Sequence, residues 1–230
     1  MKKAAIKQIV TDTLPVLAGY LFLGIGFGIL LQQAGYGIGW SLSMSVFIYA
    51  GSMQYLAVSL LASQAPLLST LMATLLVNAR HLFYGISLLD TYRNTGKKKP
   101  YLIFALTDET YSLVTQKRPP AGISRTTYCF LVSLLDHIYW ILGCALGSWV
   151  GAVAPINFEG VEFFLTALFV TLFVEQWLST QNHRPALIGV VTTIVCLLIF
   201  GKEIFLIPAM VAIALLLTVS GKTAKEKSHE

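Results

Sequence analysis

An arginine, a histidine and two acids lie in stretches that otherwise carry apolar side chains. In PLLSTLMATLLVNARHLFYGISLLD, Asn78, Arg80 and His81 sit deep in an apolar run, and in YLIFALTDETYSLV the acids are Asp108 and Glu109. Charge buried in lipid is costly unless it faces protein, a partner or water, so such residues are functional candidates by default. The chemistry they offer is recognition of a zwitterion. Arginine holds a carboxylate with a two-pronged fork. Histidine titrates near neutrality and can carry a proton. Asp108 or Glu109 could pair with Arg80, receive a substrate ammonium group, or relay protons. Asn78 and His81 are three apart and share a helix face, while Arg80 points about 100° away from His81. The structural alternatives are a buried ion pair that only holds helices together, or snorkelling of Arg80 and His81 to the surface.

Other polar groups rank behind these. FIYAGSMQYLAV places Gly51, Ser52 and Gln54 at mid-segment, where a glycine beside polar side chains suits an unwound helix. An intact helix with Gln54 bonded to a neighbour explains them equally well. Asp136 and His137 sit about ten residues into their own apolar run and are secondary candidates, with a helix-to-helix hydrogen bond as the simpler role. Glu175 falls near a helix end and reads as interfacial. Cys129, Cys144 and Cys196 show no metal-ligand or disulfide spacing, so no metal and no cofactor is expected. No GxxxxGK[ST] occurs, so pumping would draw on an ion gradient. A remote enzymatic alternative is an intramembrane hydrolase with Ser52 as nucleophile and His81 as base. GxSxG is absent, however, and the expectation is that the chain is not an enzyme.

The elements that must position these groups are membrane helices. The 230 residues are 56% hydrophobic and 12% charged, against about 25% charged in soluble domains. Residues 13 to 79 hold no Lys, Arg, Asp, Glu or His; as helix they would stretch roughly 100 Å, about three crossings of the hydrocarbon core. The net charge of +5 comes from bases at the ends and in two short loops, which argues for membrane orientation and against nucleic acid. The apolar segments run from Leu14 to Gln33, Trp40 to Ala62, Pro66 to Asp90, 101 to 116, Thr126 to Val153, Val161 to Leu178, 185 to 200 and 204 to 219. The fold expected is an all-α polytopic bundle of seven or eight membrane segments in one integral membrane domain, with both termini cytoplasmic and a disordered tail at 221–230. The basic N-terminus runs into the first helix without a cleavage pattern, so that helix is read as retained. An eight-segment count puts the basic loop 91–99 outside, against the positive-inside rule. Either 101–116 or 40–62 would then dip into the membrane without crossing. Gly24 and Gly28, four apart, suit a close helix contact. YLFLGIGFG at 20–28 echoes YWILGCALG at 139–147, and MSVFIYAGSMQY at 44–55 echoes TALFVTLFVEQW at 166–177. These echoes suggest two related three-helix repeats, at 10–90 and 126–220, joined by 91–125.

PVLAGYLFLGIGFG, YAGSMQ, LVNARHLFYG and LTDETY, in this order and spacing, resemble the AzlC family, the large subunit of bacterial branched-chain amino acid exporters. The resemblance covers nearly the whole chain, and Asn-x-Arg-His is its most specific piece. It implies a plasma-membrane exporter of leucine, isoleucine, valine and also methionine, working with a small AzlD-type membrane subunit. It places Gln54, Asn78, Arg80, His81, Asp108 and Glu109 on the family's polar motif positions. Which of them meets substrate or proton is an inference from chemistry. The alternative in a different class is a membrane scaffold whose partner forms the pathway.

Overall fold

The computed structural model describes residues 2–154, 170, 173–174, 177–178, 180, 182–205, 208–209, 211–213 and 215–217. The sixth apolar segment with Glu175, the second half of the 44–55 echo and the 221–230 tail lie largely or wholly outside these residues. Two compact units divide the chain, Met1–Phe164 and Leu165–Glu230. All described regular structure is helical.

The first unit is built on two long helices, α1 (Lys2–Gln33) and α9 (Arg125–Val153). Helix α1 starts well before the apolar run, because its first turns have a buried side of their own, Ala5 and Ile9. The two helices run in the same direction and touch along a line of glycines. A Cβ on Gly24 would lie 2.9 Å from the backbone of Gly143, and one on Gly28 would lie 2.3 Å from the carbonyl of Cys144. On the other helix, a Cβ on Gly147 would lie 2.1 Å from the carbonyl of Ile25. Only hydrogen fits at these positions, so the backbones meet directly, as small residues permit in membrane helices. The close contact expected from Gly24 and Gly28 is thus with α9, and the two segments that echo each other in sequence are the ones in contact.

Around this pair the chain makes two broken hairpins and one long traverse. The first hairpin is α2 (Ile38–Phe47) and α3 (Gly51–Ala62). Helix α2 passes Cys144, whose carbonyl accepts from Ser41, and reaches the level of His137, whose Nε2 lies 3.1 Å from the Ser45 carbonyl. Helix α3 turns back past Trp140 and sends the Tyr55 hydroxyl to the Leu23 carbonyl at 2.6 Å. Both ends of this hairpin therefore lie toward the C-terminal ends of α1 and α9. The traverse follows as α4 (Leu67–Asn78), α5 (Arg80–Ser87) and α6 (Leu89–Tyr92). At Ala79 the backbone stays helical (φ −54°, ψ −32°), so the path bends little there.

The second hairpin is α7 (Lys99–Phe104) and α8 (Asp108–Gln116), after a 3-10 turn at Gly96–Lys98. It occupies the opposite end. Leu88, Tyr92, Leu102, Leu106 and Val114 share one apolar cluster with Ile9 of α1 and with Tyr128, Cys129 and Val132 at the start of α9. Lys98 lies over the Phe130 ring at 4.9 Å, and Lys117 pairs with Asp12 at 3.8 Å. Arg125 donates to the carbonyls of Lys117 and Val114, covering the negative end of α8 with a cation. Basic loop 91–99 thus sits beside basic loop 117–125. Both candidate segments break and turn back partway along α1 and α9.

In the second unit, α10 (Arg184–Ile204) starts with proline in its first turn and bends at Gly201, whose φ of +71° lies in the left-handed region. Three described helices are long and apolar enough to cross a membrane: Lys3–Gln33, Arg125–Val153 and Arg184–Gly201.

Candidate functional site

The two hairpin tips, at 48–50 and 105–107, approach each other halfway along α1 and α9. Tyr49 stacks on His137 with ring centroids 4.2 Å apart and lies 6.3 Å from Phe104 of the second hairpin. Its φ of +45° is unusual for a bulky residue, and the stacked rings hold it there. The break frees backbone groups that a continuous helix would satisfy internally. The Ser45 carbonyl instead takes His137, and the Ala50 amide donates to Gln54 Oε1 at 3.2 Å. That Gln54 oxygen also accepts from the Trp140 indole at 2.9 Å, while its Nε2 is buried with no partner. A Cβ on Gly51 would stand 3.2 Å from the Trp140 ring, so a larger residue there would push against the indole.

At the second tip Thr107 caps α8, accepting from the Thr110 amide at 3.2 Å. Asp108 and Glu109 form the first turn, where the helix dipole favours negative charge. Arg80, reaching in from the traverse, ties the two hairpins together. Its Nη1 pairs with Asp108 Oδ2 at 3.0 Å and its Nη2 donates to Ser52 Oγ at 3.0 Å. The Arg80 and Asp108 side chains are 37% and 26% exposed, so the pair is neither sealed in the core nor on the open surface. Arg80 Nε and Asp108 Oδ1 are both buried without a partner. A cation donor and an anion acceptor therefore stand unused within one ion pair.

Glu109 takes a different direction. Its Oε2 accepts from Tyr20 at 2.7 Å, and the Tyr20 oxygen lies 2.7 Å from Thr107 Oγ1. Thr107 lies 3.0 Å from Thr110 Oγ1, which donates to Asp136 Oδ2 at 2.7 Å. His137, the next residue on α9, takes a separate partner, with its Nδ1 3.1 Å from the Tyr101 hydroxyl.

The structure thus brings together Ser52, Arg80 and Asp108, and joins Glu109 to Asp136. Gln54 and His137 brace the first hairpin against α9. His81 stays within the traverse, its Nδ1 3.1 Å from the carbonyl of Asn78 at the end of α4 and its ring edge-on to Tyr84. The Ser52–His81 pair that a hydrolase would need is not formed among the described residues, because Ser52 is held by Arg80. Tyr20, Thr107, Thr110 and Trp140 were not singled out by sequence reasoning. Thr107 carried a signal, a capping residue directly before two acids. Trp140 carried another, since an indole at mid-segment is far from the interfacial belt where tryptophan is usual.

The family profile described as AzlC protein matches residues 15–154. The chain belongs to the AzlC family. The match takes in both hairpins, Arg80 and the glycine contact. Among AzlC relatives, the "Branched-chain amino acid transport protein AzlC" of Bacillus subtilis is 44% identical over 219 residues, covering 95% of this chain and 86% of that protein. An "Uncharacterized membrane protein" of Haemophilus influenzae is also 44% identical, over 94% of this chain and 88% of its own length. "Inner membrane protein YgaZ" of Escherichia coli is 24% identical over 87% of this chain and 82% of its own. No solved structure gives a significant match to this AzlC chain.

Proposed function

We propose that the chain is the large subunit of a secondary transporter that exports branched-chain amino acids, driven by protons and assisted by a small AzlD-type membrane subunit. The observation that carries the reading is Arg80 placed between two hairpin tips with Nε free, beside Asp108 with Oδ1 free. An α-amino acid presents one carboxylate and one ammonium group to such a site. Its carboxylate would take Arg80 Nε, helped by the first amides of α3 and the unpartnered Gln54 Nε2; half-helix N-termini favour anions in this way. Its ammonium would take Asp108 Oδ1. The substrate class, leucine, isoleucine, valine and methionine, is supported by the name of the Bacillus subtilis relative and by apolar hairpin walls such as Phe104.

In this reading the hairpins are re-entrant, α2–α3 from the outer face and α7–α8 from the cytoplasm. Residues 2–154 then cross the plasma membrane three times, by α1, the α4–α6 traverse and α9, with the N-terminus and both basic loops inside. The parallel glycine contact of α1 with α9 supports two repeats related by an axis along the membrane normal, while the C-terminal tail is proposed to be cytoplasmic. Exchange of the Arg80–Asp108 pair for substrate contacts lets either hairpin release, and the site opens to one side at a time. Binding energy that differs between the two facing states is all that alternation requires.

The test is reconstitution of each subunit alone and of both together, with labelled leucine in counterflow. Counterflow that needs this chain and fails in Arg80→Ala supports the proposal. Counterflow by the small subunit alone makes this chain a scaffold. Conversion of leucine to another product makes it an enzyme.

A further inference from the structure

We infer that Glu109 and Asp136 share a single proton over a chain of hydroxyls, Tyr20, Thr107 and Thr110, and that this chain is the transporter's proton site. The oxygens are linked in succession, Glu109 Oε2, Tyr20, Thr107, Thr110 and Asp136 Oδ2, separated by 2.7, 2.7, 3.0 and 2.7 Å. Each separation is a hydrogen-bond distance and needs one hydrogen. A hydroxyl supplies one hydrogen and an ionised carboxylate supplies none. With both acids ionised, three hydrogens face four contacts, and one pair of oxygens is left lone pair against lone pair. One added proton fills the fourth contact. A second would leave an acid hydrogen with no acceptor along the line.

The filled chain has two polarities. When the proton is on Glu109 Oε2, its O–H donates to Tyr20, Tyr20 to Thr107, Thr107 to Thr110, and Thr110 to ionised Asp136. When each oxygen passes its hydrogen onward, four O–H bonds break and four form. Asp136 then holds the proton and Glu109 is ionised. No other charge moves. The Thr110 amide, bonded to Thr107 Oγ1 in both polarities, fixes the middle of the line. Tyr20, Thr107, Thr110 and Asp136 are buried and Glu109 is the less buried end.

The surrounding charges leave the proton in place. Among the described residues the two ion pairs are Arg80–Asp108 and Lys117–Asp12, and neither cation reaches Glu109 or Asp136. The other titratable groups near the pair are Asp108 beside Glu109, Tyr84 from α5, Tyr49 from the first hairpin tip, Tyr101 from α7 and His137, the residue after Asp136 on α9. Coupling follows from adjacency. Asp108, the proposed ammonium site, and Glu109, the entrance of the proton line, are consecutive residues on the same first turn. A movement of α8 that releases substrate also moves Glu109.

The inference rests on the proposed transport role for its use, and the proton count is tested separately from it. Infrared spectra of the purified two-subunit complex should show one protonated carboxyl assignable to the pair at neutral pH. That band should vanish in Glu109→Gln and also in Asp136→Asn, because an amide at either end brings a permanent donor and fills the line without a proton. A band that survives either substitution, or is missing from the wild type, overturns the shared proton. Thr110→Val keeps side-chain shape and cuts the line. With leucine export and a trapped pH dye in proteoliposomes, it should abolish proton movement while Thr110→Ser preserves it; wild-type proton movement in Thr110→Val overturns the route. If no version moves leucine while the infrared pattern holds, the transport reading fails and the proton pair stands.

Discussion

Replacing Arg80 by alanine separates a binding role from a bracing role, provided that the double variant with Asp108→Ala is measured beside it. The single change removes the 3.0 Å ion pair with Asp108 and the 3.0 Å bond to Ser52. A hydrogen bond to a charged group contributes about 1.5–3 kcal/mol. Loss of one such bond to a substrate carboxylate therefore weakens leucine binding by about 10- to 150-fold. The structural cost is of another kind, since Asp108 is left with neither oxygen partnered. Its side chain is 26% exposed, so the cost falls below the roughly 3–5 kcal/mol of a fully buried orphan. The two roles diverge in Arg80→Ala/Asp108→Ala. If the pair only braces, removing both charges relieves the orphan and counterflow returns. If the pair receives the zwitterion, the double variant has lost both anchors and stays inactive, although it is as monodisperse as the wild type on gel filtration. Leucine counterflow in proteoliposomes reads the difference directly. Recovery of counterflow in the double variant to within about threefold of wild type, well under the tenfold that about 1.4 kcal/mol represents, would refute the reasoning that Arg80 and Asp108 hold substrate.

Other consequences can be checked with simpler measurements. Gly28→Leu should lower the melting temperature of the purified complex, at a cost at the upper end of the roughly 1–3 kcal/mol typical of overpacking, because even the first added carbon would lie 2.3 Å from the Cys144 carbonyl. Gly19→Leu should leave it unchanged, since nothing lies within 4 Å of a Cβ there. Cysteines introduced at Lys97 and Arg118 should react with an impermeant maleimide only from the cytoplasmic face, and one at Gln64 only from outside. Reaction of Lys97→Cys from outside would mean that α7–α8 crosses the membrane. Trp140→Phe should reduce export while insertion is preserved, because it deprives Gln54 Oε1 of the 2.9 Å indole donor that holds the start of α3.

What the sequence made legible follows from which interactions are local. The apolar run into which Lys3 and Lys7 lead, the long segment from about Thr126 to Val153 and the mid-segment break beside Gly51 all follow from neighbours within a few residues. The doubt over loop 91–99 was also a sound signal, since four bases on the wrong side contradict a strong orientation rule. What brings this loop beside the start of α9 is a set of contacts that no local pattern contains, such as Lys98 over Phe130 and Leu102 in one cluster with Ile9. The candidate site divided the same way. Arg80 and Asp108 stand out as charges in apolar sequence, whereas Tyr20 and Thr110 look like ordinary members of their helices. Only their placement across 87 residues of chain between Tyr20 and Thr107, and 26 between Thr110 and Asp136, gives them a part. His81 stands out in the sequence for the same reason as Arg80, and in the structure its Nδ1 lies 3.1 Å from the Asn78 carbonyl.

The seam of Gly24, Gly28, Gly143 and Gly147 limits how this protein can move. Helices whose backbones already touch cannot roll or slide past each other without colliding, so α1 and α9 behave as a single beam. Motion is left to the joints at 48–50 and 105–107, where helix gives way to a few free torsions. In the proposed transport cycle two short levers flex against a fixed post, and drugs or nanobodies that wedge either joint should arrest it without touching the beam.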